Sequence, residues 1–298
     1  MAHHDDLQPT DHEPITPSPI GEMPAFFLMR LQRQADRVAI LETTEYKGIE
    51  DFEDIPEVFG QLSDYAQAFR AAYGAENRAL DPASVKIYGP EGMSRIAGVL
   101  PEAENGGIFD PETGLVHIER KSPETTAERI TFYYAMAHEI GHQLTSALCV
   151  PDHRLGFAVK EGVADRFAKG FMQSVLLPSQ QPEVLETIDR YVATANGTLE
   201  LDGIAIDASD ILLAQEDADD VKALCFSRVL EMKALAAIEQ TVGSSTYNTF
   251  MKMALSGDIN ALHLLGQQFD ATFWSRVNAL TGAANKLPAD AIIHSLTT

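Results

Sequence analysis

Apolar residues recur at helical spacing along much of the chain, and two helices are predicted near its start, over 24–40 and 56–73. Short runs of β-branched and aromatic residues follow, and these predict strands at 85–88 and 95–100. Two further runs, separated by a turn, predict a β-hairpin over 107–118. The pattern therefore indicates a small sheet that leads into the next helix.

The longest helical pattern runs from residue 123 to residue 148. Ser122 suits the N-cap position, Pro123 suits the first helical position, and Glu124 lies at the positive end of the helix dipole. The apolar residues that follow share one helix face: Ile130, Tyr133, Tyr134, Ala137, Ile140, Gly141, Leu144 and Leu148.

A second helix is predicted over 155–177, and Pro178 ends it. Residues 150–154 interrupt the helical pattern between the two helices. Because a short connection joins antiparallel neighbours, the two helices are predicted to form a helical hairpin.

After Pro178 the pattern is almost wholly helical, with stretches near 183–195, 220–241, 246–256 and 258–281. The first twenty residues instead mix proline with acidic residues and contain no apolar run. These differences predict a disordered tail over 1–20, a domain over 21–180 and a helical C-terminal lobe over 181–298.

Composition narrows the range of partners. The chain has 22 basic and 44 acidic residues among 298, a formal net charge of −22, which argues against direct binding to nucleic acid or to an anionic membrane. Basic protein substrates are favoured instead. No signal peptide or transmembrane span is recognised, and only Cys149 and Cys225 are present, so a cytoplasmic protein is expected, with non-classical secretion left open.

The helix over 123–148 carries an HExxH motif, His138-Glu139-Ile140-Gly141-His142. Residues four apart lie on one helix face, so the two imidazoles can bind a single Zn²⁺. Glu139 is rotated to the side, where it can act as a general base on a zinc-bound water. The motif therefore predicts one catalytic zinc.

The helical hairpin supplies a candidate for the third ligand. Antiparallel packing places Glu161 level with His142 and places Asp165, one turn further along, level with His138. Glu161 is thus predicted to be the third zinc ligand. Asp165 is predicted to accept the outer ring N–H of His138 and so to orient that ligand.

A donor that stabilises the tetrahedral oxyanion is expected in such a site, but the sequence does not assign one. His117 and His153 are candidates, although a surface or turn position is the preferred interpretation of each. Tyr133 and Tyr134 are interpreted as core residues of the active-site helix.

With these residues in place, the sequence resembles the gluzincin-type metallopeptidases, and most of all the ImmA/IrrE family. In that family HExxH is followed by a helix with the pattern E-x-x-A-(N/D)-x-F-A and by a Leu-Leu-x-Pro-like exit. Here residues 161–168 read Glu-Gly-Val-Ala-Asp-Arg-Phe-Ala, and 176–178 read Leu-Leu-Pro. The hairpin over 107–118 resembles the one that precedes the active-site helix, so the likeness spans residues 106–178.

The resemblance implies an α+β, zincin-like core, in which a small mixed or antiparallel sheet and the HExxH helix are joined to a mainly helical C-terminal lobe. It implies that His138, His142 and Glu161 bind zinc, that Glu139 is the general base, and that the substrate is a peptide bond in another protein, often a helix-turn-helix repressor.

Related peptidase classes fit less well. The spacing from His142 to Glu161 is also similar to that of zinc aminopeptidases, but their GAMEN-like motif is absent. Metzincins would need Gly and His where Thr145 and Leu148 stand. Two further readings stay open, a toxin or effector protease delivered to another cell and a catalytically silent zinc-binding interaction domain.

Overall fold

The computed structural model describes residues 25–100, 106–122, 126–149 and 156–176, together with 199–201, 204–206, 235, 238–240 and 242–268. The chain divides into two compact units, with the boundary between Thr43 and Thr44. Predictions for the first twenty residues, the boundary at residue 180, His153 and Cys225 lie outside the described residues. In the first unit, helix α1 spans Ala25–Thr43, which confirms the helix predicted over 24–40.

The second unit is mixed α and β, as predicted, and contains a three-stranded sheet. Its strands are β1 (Val85–Tyr88), β2 (Gly107–Asp110) and β3 (Leu115–Glu119), in the order β1-β3-β2. Strand β1 is parallel to β3, whereas β2 is antiparallel to it. The tight turn between β2 and β3 contains Gly114 at φ +73°, a conformation that glycine adopts without strain.

Helix α2 spans Ile55–Ala72 and confirms the second predicted helix. The strand predicted at 95–100 is wrong, because Pro90–Ala97 forms helix α3. Pro90 occupies its first turn, where the missing N–H costs nothing. Met93, Ile96 and Leu100 are buried at a spacing of three and four residues, which is helical rather than alternating.

Two long helices follow the sheet and form the predicted hairpin. Helix α4 spans Thr126–Leu144 and is followed by a 3₁₀ turn over Ser146–Leu148. Helix α5 spans Gly156–Phe171 and continues as a π-helical turn over Met172–Leu176. Contacts that advance along α5 recede along α4, so the helices are antiparallel.

The core lies between one face of the sheet and these helices. Strand alternation points Val116 and Ile118 into this core, where both are fully buried. The same hydrophobic cluster includes side chains from α2, α4 and α5 and from described residues between 235 and 265.

The described C-terminal residues contain helices α6 (Ser244–Leu255) and α7 (Ala261–Gly266). They also contain a short antiparallel pair, β4 (Leu199–Leu201) and β5 (Ile204–Ile206), where no strand is predicted. No helix among the described residues is both long enough and apolar enough to cross a membrane.

Candidate metal centre

The site depends on a very close approach of α4 to α5 at Gly141. A Cβ atom at this position would lie 2.8 Å from the Cα of Ala164 and 3.2 Å from its Cβ. A Cβ atom essentially never comes within 3.0 Å of a backbone carbon that is not bonded to its residue, so only glycine permits this helix separation. Gly141, the second variable position of the motif, therefore brings side chains of the two helices within reach of one another.

Three potential ligand atoms converge at this crossing. His138 Nε2 lies 3.0 Å from His142 Nε2 and 3.1 Å from Glu161 Oε2. The distance from His142 Nε2 to the same Glu161 oxygen is 3.2 Å. The three atoms form a small, nearly equilateral triangle, and among the described residues these side chains form the one His, Cys, Asp and Glu group that could hold a metal ion.

The triangle has the dimensions that a zinc ion requires. Ligands bound tetrahedrally at about 2.0–2.1 Å are separated from one another by about 3.3 Å. The observed separations of 3.0–3.2 Å are close to this value. Two imidazole nitrogens and one carboxylate oxygen are also a donor set that zinc commonly takes. The residues therefore fit a divalent metal such as Zn²⁺.

The electrostatics of Glu161 agree with a ligand role. Burial raises the pKa of its carboxyl. His142 and His138 beside it lower that pKa by more than burial raises it, so the net pKa lies well below its usual value. The carboxylate is therefore ionised. Its second oxygen, Oε1, lies 3.3 Å from Lys160 Nζ, which leaves Oε2 directed at the histidines.

The outer nitrogen of His138 contacts Asp165, as the hairpin geometry predicts. Nδ1 lies 2.7 Å from Oδ1 of this fully buried aspartate. The same oxygen accepts a hydrogen bond from the Tyr134 hydroxyl at 2.7 Å. By contrast, Nδ1 of His142 is buried and has no hydrogen-bond partner among the residues that the structure describes. The two histidines are thus held in different ways.

Glu139 is buried beside the edge strand β2. Its Oε2 accepts a hydrogen bond of 2.7 Å from the backbone N–H of Phe109. Gly107 lies against the same side chain, and a Cβ atom there would approach Glu139 Cγ to 3.2 Å. The general base predicted from the motif is therefore held by strand backbone on one side.

His117 is not a surface residue, because it is 1 % exposed and its Nδ1 lies 2.9 Å from the Tyr88 hydroxyl. It alternates with Val116 and Ile118, so it points to the sheet face opposite the core that contains α4. This position gives no support to His117 as an oxyanion donor.

Two features of the site were missed by sequence reasoning. Tyr134 lies one turn before His138 on the same helix face, and that spacing could have indicated its contact with Asp165. The contact between Phe109 and Glu139 joins residues far apart in sequence, and no local pattern signals it.

A separate groove of about 520 Å³ lies beside β1 and α3. None of His138, Glu139, His142 and Glu161 lines it, so it is not part of the candidate centre. Its size alone is no reason to prefer it over a smaller cluster with converging ligand atoms.

Comparison of the chain with protein-family models, with curated proteins and with solved structures found no match.

Proposed function

We propose that this chain is a zinc-dependent endopeptidase with a zincin-like core, similar to the ImmA/IrrE peptidases. The observation that carries the proposal is the triangle of His138 Nε2, His142 Nε2 and Glu161 Oε2, with sides of 3.0–3.2 Å. The HExxH motif adds a carboxylate, Glu139, directly after the first of these residues. A purely structural zinc site has no need of that base.

His138, His142 and Glu161 would hold the ion. When bound, Zn²⁺ would polarise the scissile carbonyl and lower the pKa of the attacking water towards about 7. Glu139 accepts a proton from the water as its oxygen bonds to the carbonyl carbon. As the C–N bond breaks, Glu139 returns this proton to the leaving amine, so the base is regenerated without a covalent intermediate.

The surroundings of Glu139 favour an extended peptide as the substrate. Strand β2 is an edge of the three-stranded sheet, and the N–H of Phe109 points away from β3 towards Glu139. An extended segment can pair with such an edge through backbone hydrogen bonds. The net charge of −22 favours basic segments, and a helix-turn-helix repressor is the substrate that the family resemblance suggests.

Metal content is the first test. The wild type, His142→Ala and Glu139→Gln are purified without a histidine tag, supplied with zinc and measured by plasma mass spectrometry. We expect about one zinc per chain in the wild type and in Glu139→Gln, and a large loss in His142→Ala, because the latter lacks one ligand. Glu161→Gln should also weaken binding, and equal affinity in this variant would remove Glu161 from the ligand set.

Hydrolysis is tested with a library of proteome-derived peptides, in which new termini are identified by mass spectrometry. Cleavage by the wild type and none by the metal-bearing Glu139→Gln protein is the expected result. Zinc binding without any cleavage would favour the silent interaction domain. Absence of specific zinc binding in the wild type would overturn the proposal.

A further inference from the structure

Two neighbouring tyrosines of α4 donate their hydroxyls to two different aspartates. Tyr133 and Tyr134 are equally buried, each at 2 % exposure. The Tyr133 hydroxyl donates to Asp54, the residue that precedes α2. The Tyr134 hydroxyl donates to Oδ1 of Asp165 on α5. The pair therefore offers the same chemical group in two places, only one of which adjoins the metal centre.

One oxygen atom connects Tyr134 to the candidate ligand His138. Oδ1 of Asp165 lies 2.7 Å from the Tyr134 hydroxyl oxygen and 2.7 Å from His138 Nδ1. An ionised Asp165 can only accept hydrogen bonds, so this contact favours the tautomer of neutral His138 that carries its proton on Nδ1. Its Nε2 then presents a lone pair to the triangle formed with His142 and Glu161.

We propose that Tyr134 is a positioning residue for the metal centre: it fixes the Asp165 carboxylate, which in turn fixes the ring and tautomer of His138. The inference rests on the proposed function and extends it beyond the ligands. Asp165 is 0 % exposed, so water does not reach it to replace a lost hydroxyl. Tyr134 also stacks on the His138 ring, with centroids 6.2 Å apart. A phenylalanine at this position keeps the stacked ring and removes only the hydroxyl, so its effect reports the hydrogen bond and not the packing.

The test measures the zinc dissociation constant by competition with a chelator. Tyr134→Phe should weaken binding roughly three- to tenfold, which is less than the 10–100-fold expected for loss of an outer carboxylate in Asp165→Asn. Tyr133→Phe is the matched control, and it should leave the affinity unchanged even if it lowers stability. In the Asp165→Ala background, which has no acceptor for the hydroxyl, Tyr134→Phe should have no further effect, because the contact through which the two residues act is already lost.

A second readout does not depend on metal. In the metal-free protein, ¹⁵N resonances of the His138 ring report its tautomer. The Nδ1–H form should be dominant in the wild type and in Tyr133→Phe, and less populated in Tyr134→Phe, where the acceptor carboxylate of Asp165 is no longer held in place. Unchanged affinity together with an unchanged tautomer in Tyr134→Phe overturns the proposal. A full effect of Tyr134→Phe in the Asp165→Ala background also overturns it, because the hydroxyl would then act by a route other than Asp165.

The two proposals can fail separately. If the wild type binds zinc but cleaves nothing, the peptidase fails while the role of Tyr134 is still decided by affinity and tautomer. If the wild type binds no zinc, the metal centre fails, and with it the role of Tyr134 there, whatever the tautomer measurement shows.

Discussion

Gly107 is the residue that limits where the Glu139 carboxylate can lie. Its missing side chain leaves space that Glu139 fills, while the Phe109 N–H holds one carboxylate oxygen. Since this carboxylate is the proposed proton carrier, its position matters on the scale of an ångström. The neighbour is a flexible side chain rather than backbone, so an added methyl group would displace Glu139 without unfolding the sheet.

Gly107→Ala is therefore expected to reduce peptide hydrolysis by roughly tenfold while zinc content stays at the wild-type value. The rate is measured on a peptide identified from the cleavage library, and zinc is measured on the same samples. Gly60→Ala serves as the control, because a Cβ atom there meets nothing within 4 Å. Full activity in Gly107→Ala would show that the position of Glu139 is not set by this contact.

At the scale of secondary-structure elements, the candidate metal site depends on the crossing of α4 and α5. Gly141 touches the backbone of Ala164, and backbone cannot move aside as a side chain can. An alanine at position 141 must push the helices apart, and the ligand atoms on either side of the crossing move with them.

Gly141→Ala should thus lower the free energy of unfolding by about 1–3 kcal/mol, the usual effect of overpacking a tight core. It should weaken zinc binding at the same time. Urea denaturation and chelator competition measure the two effects. The same substitution at exposed Gly60 of α2 should leave zinc affinity unchanged and preserve or raise stability, because alanine favours a helix. Unaltered stability in Gly141→Ala would contradict the close crossing.

A second contact between elements links α2, the residue after β3 and α4. Arg120 forms two hydrogen bonds to Asp54, at 2.8 and 3.0 Å, and Tyr133 adds a third. Burial raises the pKa of Asp54, but the bonds from Arg120 and Tyr133 outweigh it, and the net pKa lies below the ordinary value of 3.8. The ionised carboxylate therefore stabilises the folded chain.

The contribution of Asp54 to folding stability depends on pH. A group whose pKa is lowered by folding contributes stability above its unfolded pKa and loses this contribution as pH falls through the folded value. Asp54→Asn should cost roughly 1 kcal/mol at pH 7, a figure reduced for partial exposure, and the deficit should shrink below about pH 4. Urea unfolding of both proteins across this range measures it. Asp64→Asn, on an exposed part of α2, is the control and should show no such deficit. A deficit independent of pH would contradict the argument.

At the scale of the whole molecule, the sequence predicts best what helical geometry determines. The rise per residue is constant, so the levels of His138, His142, Glu161 and Asp165 follow from spacing once two antiparallel helices are assumed. Whether Asp165 faces His138 is a question of that spacing alone, and the structure confirms the contact.

Other features of the fold and of the site depend on tertiary contacts, which the spacing of residues along the sequence does not predict. Helix α3 is short, and residues 95–100 taken without Met93 hold too few apolar positions to distinguish a strand from a helix. The contact of Phe109 with Glu139 depends on how the sheet packs against α4, which is a tertiary choice. The sequence predicts Tyr134 as a core residue because a tyrosine on an apolar helix face usually packs there, and its hydroxyl bond to Asp165 adds to that role.

The helices that carry the three ligand residues pack through an extensive buried hydrophobic cluster, and this has a thermodynamic consequence. Zinc fingers gain their fold from the metal, whereas burial of apolar side chains holds these two helices together. Chelation should leave the far-ultraviolet circular dichroism unchanged at 25 °C and lower only the melting temperature. The shift should grow with the logarithm of free zinc, as for any ligand bound by the native state alone. A chain that loses helicity on chelation would instead be one that zinc folds.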